Sequence, residues 1–179
     1  ANGIDTDLWI KIKTANNDAR VSEYAAAKPG VKFIPANEGR IWDVKCDVAL
    51  PCATQNELLI DDAKKLVANG CIAVAEGANM PCSNDAVSYM IENKVLVGPA
   101  KAVNAGGVAV SALEMSQNSQ RLEWTFEEVD GRLDAIMTNI FKACDEASKE
   151  YGMPGNYVAG ANIAGFKKVA KAMMAQGVL

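Results

Sequence analysis

Three short apolar runs in the middle of the chain alternate with segments of helical pattern. The runs at 48–50, 72–75 and 95–97 consist of unbroken hydrophobic residues rather than alternating ones. Helical patterns fill the segments 61–69 and 84–92 between these runs. Strands of a parallel sheet have this unbroken character because helices cover both faces of the sheet. The pattern therefore predicts βαβ units and an α/β fold with a parallel sheet.

The first part of the chain predicts two helices and a short strand. Apolar side chains recur at helical spacing from Leu8 to Ala26, and the doubled asparagines at 16–17 divide this segment into two helices. A Lys-Pro-Gly sequence at 28–30 ends the second helix, because proline and glycine do not continue one. The apolar segment 31–34 then predicts a further short strand.

From position 104 onward the pattern is helical. Three helices are predicted, at about 104–120, 126–150 and 156–175. The last one carries an apolar stripe from Ala159 to Met173, as expected for a helix that packs on one side. The predicted fold class is therefore α/β, with a parallel sheet followed by an all-helical C-terminal segment.

Composition and charge exclude several classes of protein. Of the 179 residues, 50% are hydrophobic and 22% are charged, which is typical of a globular chain with a buried core. The 18 Lys and Arg against 22 Asp and Glu give a net charge of −4, so a nucleic-acid partner is not expected. No apolar run approaches the roughly 20 residues of a membrane span, so no membrane partner is expected.

Histidine is absent from the sequence, and the cysteines form no metal-binding pattern. Without histidine, Ser-His-Asp and Cys-His nucleophiles are excluded, and no metal site is expected. The cysteines contain no C-x-x-C pair and stand largely in apolar runs, which predicts reduced, buried thiols and a cytoplasmic protein. They are Cys46, Cys52, Cys71, Cys82 and Cys144.

Small and polar residues follow each of the three predicted strands. In an open parallel sheet a ligand binds just beyond the carboxyl ends of the strands, so these turns should meet at one edge. They contain Thr54, Asn79 and Asn104. Because an asparagine carries both a donor and an acceptor, the turns suit a planar ligand with a carboxamide or ribose hydroxyls. The alternative is that these are ordinary loop and cap residues, where Asn, Gly and Thr are common.

Two further candidates lie near the start of the helix that opens at 104. Val108 and Ser111 are three residues apart and share a helix face. This pair suits a short acid with an apolar middle, although a core valine and a serine bonded to its own helix explain the spacing equally. No G-x-G-x-x-G sequence for a pyrophosphate occurs, and Lys101 and Glu76 are acid–base candidates by position only.

Four segments of the chain carry a specific resemblance. They read PCATQNEL at 51–58, AEGANMP at 75–81, NAGGVAVSALEMSQN at 104–118 and NYVAGANIAGF at 156–166. Together they resemble bacterial hexameric glutamate dehydrogenase, and the resemblance runs in order along essentially the whole chain. The enzymes of this family are longer. The chain resembles only their carboxy-terminal portion, which is the later part of the nucleotide-binding domain and the helices that return to the substrate domain.

The resemblance implies a fold and an activity. The fold would be a partial Rossmann-like, doubly wound parallel sheet, with 1–120 as a partial NAD(P)-binding domain that lacks the glycine fingerprint and 121–179 as C-terminal helices. The parent enzyme would reversibly convert L-glutamate to 2-oxoglutarate and ammonia by oxidative deamination, with NADP or NAD, as a homo-oligomeric hexamer. The family's catalytic lysine and aspartate would lie upstream of this chain, so the chain alone is expected to be inactive.

The resemblance also assigns four residues to the cofactor. Asn79 matches the family asparagine near the nicotinamide ribose. Asn104 matches the asparagine beside the nicotinamide ring and the substrate. Ala53 and Thr54 match the loop that lies under the cofactor.

Two more residues match the substrate pocket of that family. Ser111 matches the serine that hydrogen-bonds the side-chain carboxylate of glutamate, and Val108 lines the same pocket. The alternative from another class of protein is a non-catalytic α/β module that binds a ligand or an assembly partner.

Overall fold

The structure, a computed structural model, describes residues 3–177, which fall into two compact units. The first unit is Ala1–Ile41 and the second is Trp42–Leu179. The sheet and all of the predicted site residues belong to the second unit. The predicted division into a partial NAD(P)-binding domain at 1–120 and C-terminal helices at 121–179 stays a prediction.

The first unit contains the two predicted helices, α1 (Thr6–Ala15) and α2 (Val21–Ala27). Asp5 caps α1 by accepting a hydrogen bond from the Leu8 N–H at 3.1 Å. Its second carboxylate oxygen pairs with the ammonium group of Lys28, at the end of α2, at 2.8 Å. One carboxylate therefore ties the start of the first helix to the end of the second.

The segment 31–34 is not a strand, so this prediction is wrong. A strand forms only where a neighbouring segment pairs with its backbone N–H and C=O groups. Within 3–177 no segment pairs with 31–34, and its three apolar side chains are exposed. Apolar composition without a pairing partner therefore leaves this stretch irregular.

The second unit alternates strands with helices and then becomes helical, as predicted. Its strands are β1 (Val48–Ala49), β2 (Ala73–Ala75) and β3 (Leu96–Gly98). Its helices are α3 (Ile60–Ala68), α4 (Asn84–Glu92), α5 (Ala100–Val103), α6 (Ala105–Gln120), α7 (Phe126–Glu150) and α8 (Tyr157–Gln176). The sequence did not predict α5, nor a single 3₁₀ turn at Ile41–Asp43. No helix within 3–177 has the length and apolar character that crossing a membrane requires.

The three strands form one parallel sheet in the order β1-β2-β3. Ala49, Val74 and Val97 are in register across this sheet and are buried. Leu66 of α3 and Met90 of α4 belong to the same buried cluster, so both crossover helices cover this face. The α/β fold class predicted from the sequence is therefore confirmed.

The opposite face of the sheet is only partly covered. Val48 and Leu96, both in register with Ala73, are 49% and 45% exposed. An apolar cavity of about 450 Å³ lies between this face and the helices α5 and α7. The unbroken apolar strands led to an expectation of helices on both faces, and the described residues bury one face more completely than the other.

The helices α7 and α8 approach each other closely at Gly160. A Cβ atom at this position would lie 2.0 Å from the carbonyl oxygen of Cys144 in α7. Asn156 caps α8 by accepting a hydrogen bond from the Ala159 N–H at 3.0 Å. The cap places the first turn of α8, and the glycine allows that turn to lie against α7.

Gly160→Ala should destabilise the second unit, because the new methyl group would meet the backbone of α7 rather than a movable side chain. Overpacking of this kind costs roughly 1–3 kcal/mol. Gly165→Ala in the same helix is the matched control, because a Cβ at Gly165 meets nothing within 4 Å. The control should gain up to about 1 kcal/mol from helix propensity. Denaturant unfolding measures both variants, and equal stabilities would contradict the close crossing.

Candidate functional site

The turns that follow the three strands meet at one edge of the sheet, as their order predicts. They enclose a cleft of about 600 Å³, a volume in the range of small-molecule sites. Its walls are neutral and mostly small residues from these turns and from the start of α6. The lining residues are Cys52, Ala53, Thr54, Gln55, Gly77, Ala78, Asn79, Asn104 and Val108.

A carboxylate shapes the turn that follows β1. Glu57 Oε1 accepts hydrogen bonds from the N–H groups of Ala53 at 2.7 Å and Thr54 at 3.3 Å. The N–H of Asn56, which has a left-handed φ of 55°, donates to the Met80 carbonyl at 3.0 Å. These bonds hold the turn against the segment after β2 and leave Thr54 exposed in the cleft lining.

Gly77 allows the turn after β2 to approach the turn after β1. The N–H groups of Gly77 and Ala78 donate to the Pro51 carbonyl at 3.0 Å and 3.3 Å. A Cβ atom at position 77 would lie 2.4 Å from the Sγ atom of Cys52. Any larger residue would therefore displace the Cys52 side chain or separate the two walls of the cleft.

Asn79 and Asn104 form the polar centre of the cleft. The Asn104 Nδ2 group donates to Asn79 Oδ1 at 2.7 Å and to the Ala78 carbonyl at 3.2 Å. Asn104 stands directly before α6, but its side chain does not cap that helix because its amide is bonded across the cleft. Among the described residues, Asn79 Nδ2 and Asn104 Oδ1 have no protein partner, so one donor and one acceptor remain for a ligand.

The structure brings together five of the six predicted site residues. Ser111 is the exception, because it lies one turn beyond Val108 on α6 and is exposed outside the cleft lining. The roles of all six toward a cofactor or a substrate stay predictions. The five that line the cleft are Ala53, Thr54, Asn79, Asn104 and Val108.

Neither acid–base candidate stands unbonded in the cleft. Glu76 is buried, and its two carboxylate oxygens accept hydrogen bonds from the N–H groups of Cys82 at 3.2 Å and Ala100 at 2.9 Å. Lys101 donates a hydrogen bond to the side-chain oxygen of Asn162 in α8. Both side chains are therefore bonded to other parts of the protein.

The five cysteines are free thiols, and three of them are buried as predicted. The prediction of burial is wrong for Cys52, which is exposed in the cleft lining because it lies beyond the end of β1. Burial raises the pKa of the Cys82 thiol, and the adjacent Glu76 carboxylate raises it further. The predicted cytoplasmic location stays a prediction. The buried thiols are Cys71, Cys82 and Cys144.

Sequence reasoning missed two residues that shape the cleft, Glu57 and Gly77. A glycine within two residues of the end of a strand can signal close approach of another backbone, and this signal could have identified Gly77. Glu57 gives a weaker signal, because an acidic residue shortly after a polar turn has many possible partners. Its hydrogen bonds to the turn become visible only once the turn has closed.

The chemistry of the lining fits a nicotinamide and its ribose. The Asn79–Asn104 pair offers a donor and an acceptor, which match a carboxamide or sugar hydroxyls. The small side chains of Ala53 and Ala78 permit a flat ring to approach the backbone. The residues that line the cleft include no Lys or Arg, so this lining supplies no cation for a pyrophosphate.

Comparison with known proteins finds related sequences along the whole chain. A model of the Glutamate/Leucine/Phenylalanine/Valine dehydrogenase family matches residues 1–177. The chain is 50% identical over 182 residues to the NADP-specific glutamate dehydrogenase of Helicobacter pylori. It is 48% identical over 178 residues to the NAD-specific glutamate dehydrogenase of Bacteroides fragilis. The alignments cover 99% of this chain, which spans 40% and 39% of the length of these relatives.

A solved structure agrees with the sequence comparison. The crystal structure of Plasmodium falciparum glutamate dehydrogenase matches the chain with a TM-score of 0.91 and 45% identity. The match covers 99% of this chain and 38% of that one. The matched region is the carboxy-terminal portion of these enzymes, so the predicted resemblance is confirmed.

Cys52 and Cys82 should differ strongly in their reaction with iodoacetamide at neutral pH. Cys52 is exposed, whereas Cys82 is buried and its raised pKa keeps the thiol protonated. We expect peptide mapping to find Cys52 alkylated in the folded protein and Cys82 alkylated only after unfolding.

Folding raises the pKa of Cys82, so the contribution of this thiol to the free energy of unfolding is fully present below the unfolded pKa of 9.0. That contribution is lost as the pH rises from 9.0 through the folded pKa.

The Cys52→Ser variant is the control for this experiment. It should remove the fast-reacting thiol and leave the labelling of the other cysteines unchanged. Alkylation of Cys82 in the folded protein as fast as that of Cys52 would contradict the buried position of the thiol.

Proposed function

This chain belongs to the Glutamate/Leucine/Phenylalanine/Valine dehydrogenase family, and we propose that it forms the nicotinamide side of the active site of a glutamate dehydrogenase. The observation that carries this proposal is the hydrogen bond between Asn79 and Asn104 at the centre of the cleft. Two turns 25 residues apart meet through these amides, which leave a donor and an acceptor toward the cleft. Such an arrangement serves a small ligand with matching polar groups.

The residues of the cleft receive distinct roles in this proposal. Asn79 binds the nicotinamide ribose, Asn104 binds the nicotinamide ring beside the substrate, and Ala53 and Thr54 form the floor under the cofactor. A bound nicotinamide would supply the position that accepts or returns a hydride. Relatives of this chain are named NADP-specific and NAD-specific, which supports NADP or NAD as the cofactor.

The start of α6 is proposed to hold the substrate. Val108 lines the cleft on the same helix that Asn104 precedes, and Ser111 follows it by about 4.5 Å along the helix axis. The serine hydroxyl would hydrogen-bond the side-chain carboxylate of L-glutamate, and the valine would contact its methylene groups. The reaction of the intact enzyme would be the reversible oxidative deamination of L-glutamate to 2-oxoglutarate and ammonia.

The chain alone is proposed to be inactive. Deamination needs a positioned acid and base in contact with the substrate. Among the described candidates, the Glu76 carboxylate is bonded to two backbone N–H groups and Lys101 is bonded to Asn162. The cleft therefore contributes binding and orientation, and the proton transfers are assigned to residues outside this chain. The intact enzyme is proposed to be a homo-oligomer, a hexamer by the resemblance.

The purified 179-residue chain should show no reduction of NAD or NADP when L-glutamate is added. It should bind nicotinamide mononucleotide weakly, in the millimolar range, because the mononucleotide contains the part of the cofactor that the cleft fits. Nitrogen-15 NMR should then show shifts at Ala53, Thr54, Asn79 and Asn104, with none at the control residue Gly165, which does not line the cleft.

Three outcomes would contradict parts of this proposal. Glutamate-dependent reduction of cofactor by the chain alone would overturn its inactivity. Shifts that fall outside the cleft, or no shifts at all, would overturn the cofactor assignment. Tight binding of a different ligand in the cleft would support the alternative of a non-catalytic binding module.

In the intact dehydrogenase, Ser111→Ala should lower kcat/KM for L-glutamate. Loss of one hydrogen bond to a charged partner costs roughly 1.5–3 kcal/mol, which corresponds to a decrease of roughly 10- to 150-fold. Ser116→Ala is the matched control on the same helix, because the Ser116 hydroxyl donates to the Ala112 carbonyl at 2.8 Å. An unchanged kcat/KM in the Ser111 variant would show that this serine does not bind the substrate.

A further inference from the structure

Glu76 is a buried carboxylate at the carboxyl end of β2, with only 6% of its surface exposed. Its Oε1 atom accepts a hydrogen bond from the Cys82 N–H at 3.2 Å, and its Oε2 atom accepts one from the Ala100 N–H at 2.9 Å. Its own N–H donates to the Gly98 carbonyl at the end of β3, at 3.0 Å. One residue therefore joins the segment that follows β2 to the segment that follows β3.

The two donors belong to the segments that carry the central amides of the cleft. Cys82 ends the turn that contains Asn79. Ala100 is the first residue of α5, and one helical turn later the Asn104 N–H donates to the Ala100 carbonyl at 3.0 Å. The position of the Ala100 backbone thus sets the position of Asn104. The Glu76 carboxylate therefore holds both the segment that contains Asn79 and the segment that leads to Asn104.

A carboxylate suits this place better than other side chains of similar size. Both of its oxygens accept, and hydrogen bonds to an ionised acceptor are stronger than those between neutral groups. A glutamine would offer one accepting oxygen and would direct its NH₂ group at the second N–H. An aspartate is one methylene shorter and could not reach both donors from the same backbone position.

We propose that Glu76 is a positioning residue for the cleft: its carboxylate holds the two segments at the separation at which Asn79 and Asn104 bond to each other. Glu76 is absent from the cleft lining, so it acts on a ligand only through the two asparagines. The hydrogen-bonding arrangement stands on the structure itself. Its importance for a nicotinamide rests on the proposed function above.

The test compares Glu76→Gln with Asp62→Asn in the 179-residue chain. Asp62 is the matched control because it is also a buried carboxylate that accepts from a backbone N–H, that of Leu59 at 3.0 Å, at the start of α3. The measurement is the nitrogen-15 spectrum and solvent exchange of the side-chain amides of Asn79 and Asn104. The backbone amides of Val74 and Val97 report whether the sheet remains folded.

We expect Glu76→Gln to increase solvent exchange of the Asn104 side-chain amide by about tenfold, the effect of one lost hydrogen bond. Affinity for nicotinamide mononucleotide should fall by a similar factor, and the Val74 and Val97 amides should remain protected. Asp62→Asn should lower the unfolding temperature and leave the Asn104 amide and the affinity unchanged. Glu76→Asp, measured alongside, keeps the charge and should show the same loss of protection from solvent exchange at the Asn104 side-chain amide. The test therefore does not depend on the folding of a single variant.

The outcomes separate this inference from the proposed function. An unchanged Asn104 amide in both Glu76 variants would overturn the positioning role. An equal loss of protection at the Asn104 side-chain amide in Asp62→Asn would also overturn the positioning role, because faster exchange would then result from general destabilisation of the protein. A wild-type chain that shows no response to nicotinamide mononucleotide, together with the expected loss at Asn104 in the Glu76 variants, would refute the cofactor assignment and support the positioning role.

Discussion

The parallel pairing of β1, β2 and β3 is the constraint on which the rest of the second unit depends. Because the three strands run in one direction, the turns that leave their carboxyl ends emerge at the same edge of the sheet. Strands of two or three residues make few backbone hydrogen bonds. Their arrangement is stabilised instead by Ala49, Val74 and Val97, which are buried against the crossover helices. The cleft therefore takes its geometry from packing on a buried face whose residues do not line the cleft.

Hydrogen bonds to buried or half-buried carboxylates replace packing at the edge where the turns emerge. The lining residues are small, so they offer little apolar area to hold the turns in place. Glu57 accepts from two N–H groups of the first turn, and Glu76 accepts from one N–H group in the segment after β2 and from one in the segment after β3. Backbone donors that leave a strand need partners, and here these partners also set the distance between the walls. Hydrogen bonds of this kind can hold the turns of a site in place even when its lining residues must be small to admit a flat ligand.

The distribution of charge in the cleft agrees with the proposed role of this chain in binding and orientation. The cleft lining is neutral, and its polar groups are amides and a hydroxyl, which bind and orient. The chain spans about two fifths of the length of its relatives. One face of the sheet is also covered less completely than the other, at Val48 and Leu96. These features agree with the proposal that this chain positions the nicotinamide and that the acid and the base belong to another part of the intact enzyme.

Hydrophobic pattern, turn residues and strand order predicted the strands of the sheet, all but one of the α-helices within 3–177 and the edge at which Thr54, Asn79 and Asn104 meet. These features follow from local periodicity and from the direction of parallel strands. The segment 31–34 was predicted as a strand and is irregular, because strand formation depends on a partner that local composition does not reveal. The short helix α5, the exposure of Cys52 and the bonds of Glu76 were likewise decided by the tertiary structure. The bond from the Ala100 N–H to Glu76 joins residues 24 positions apart, and only folding determines how near such residues come.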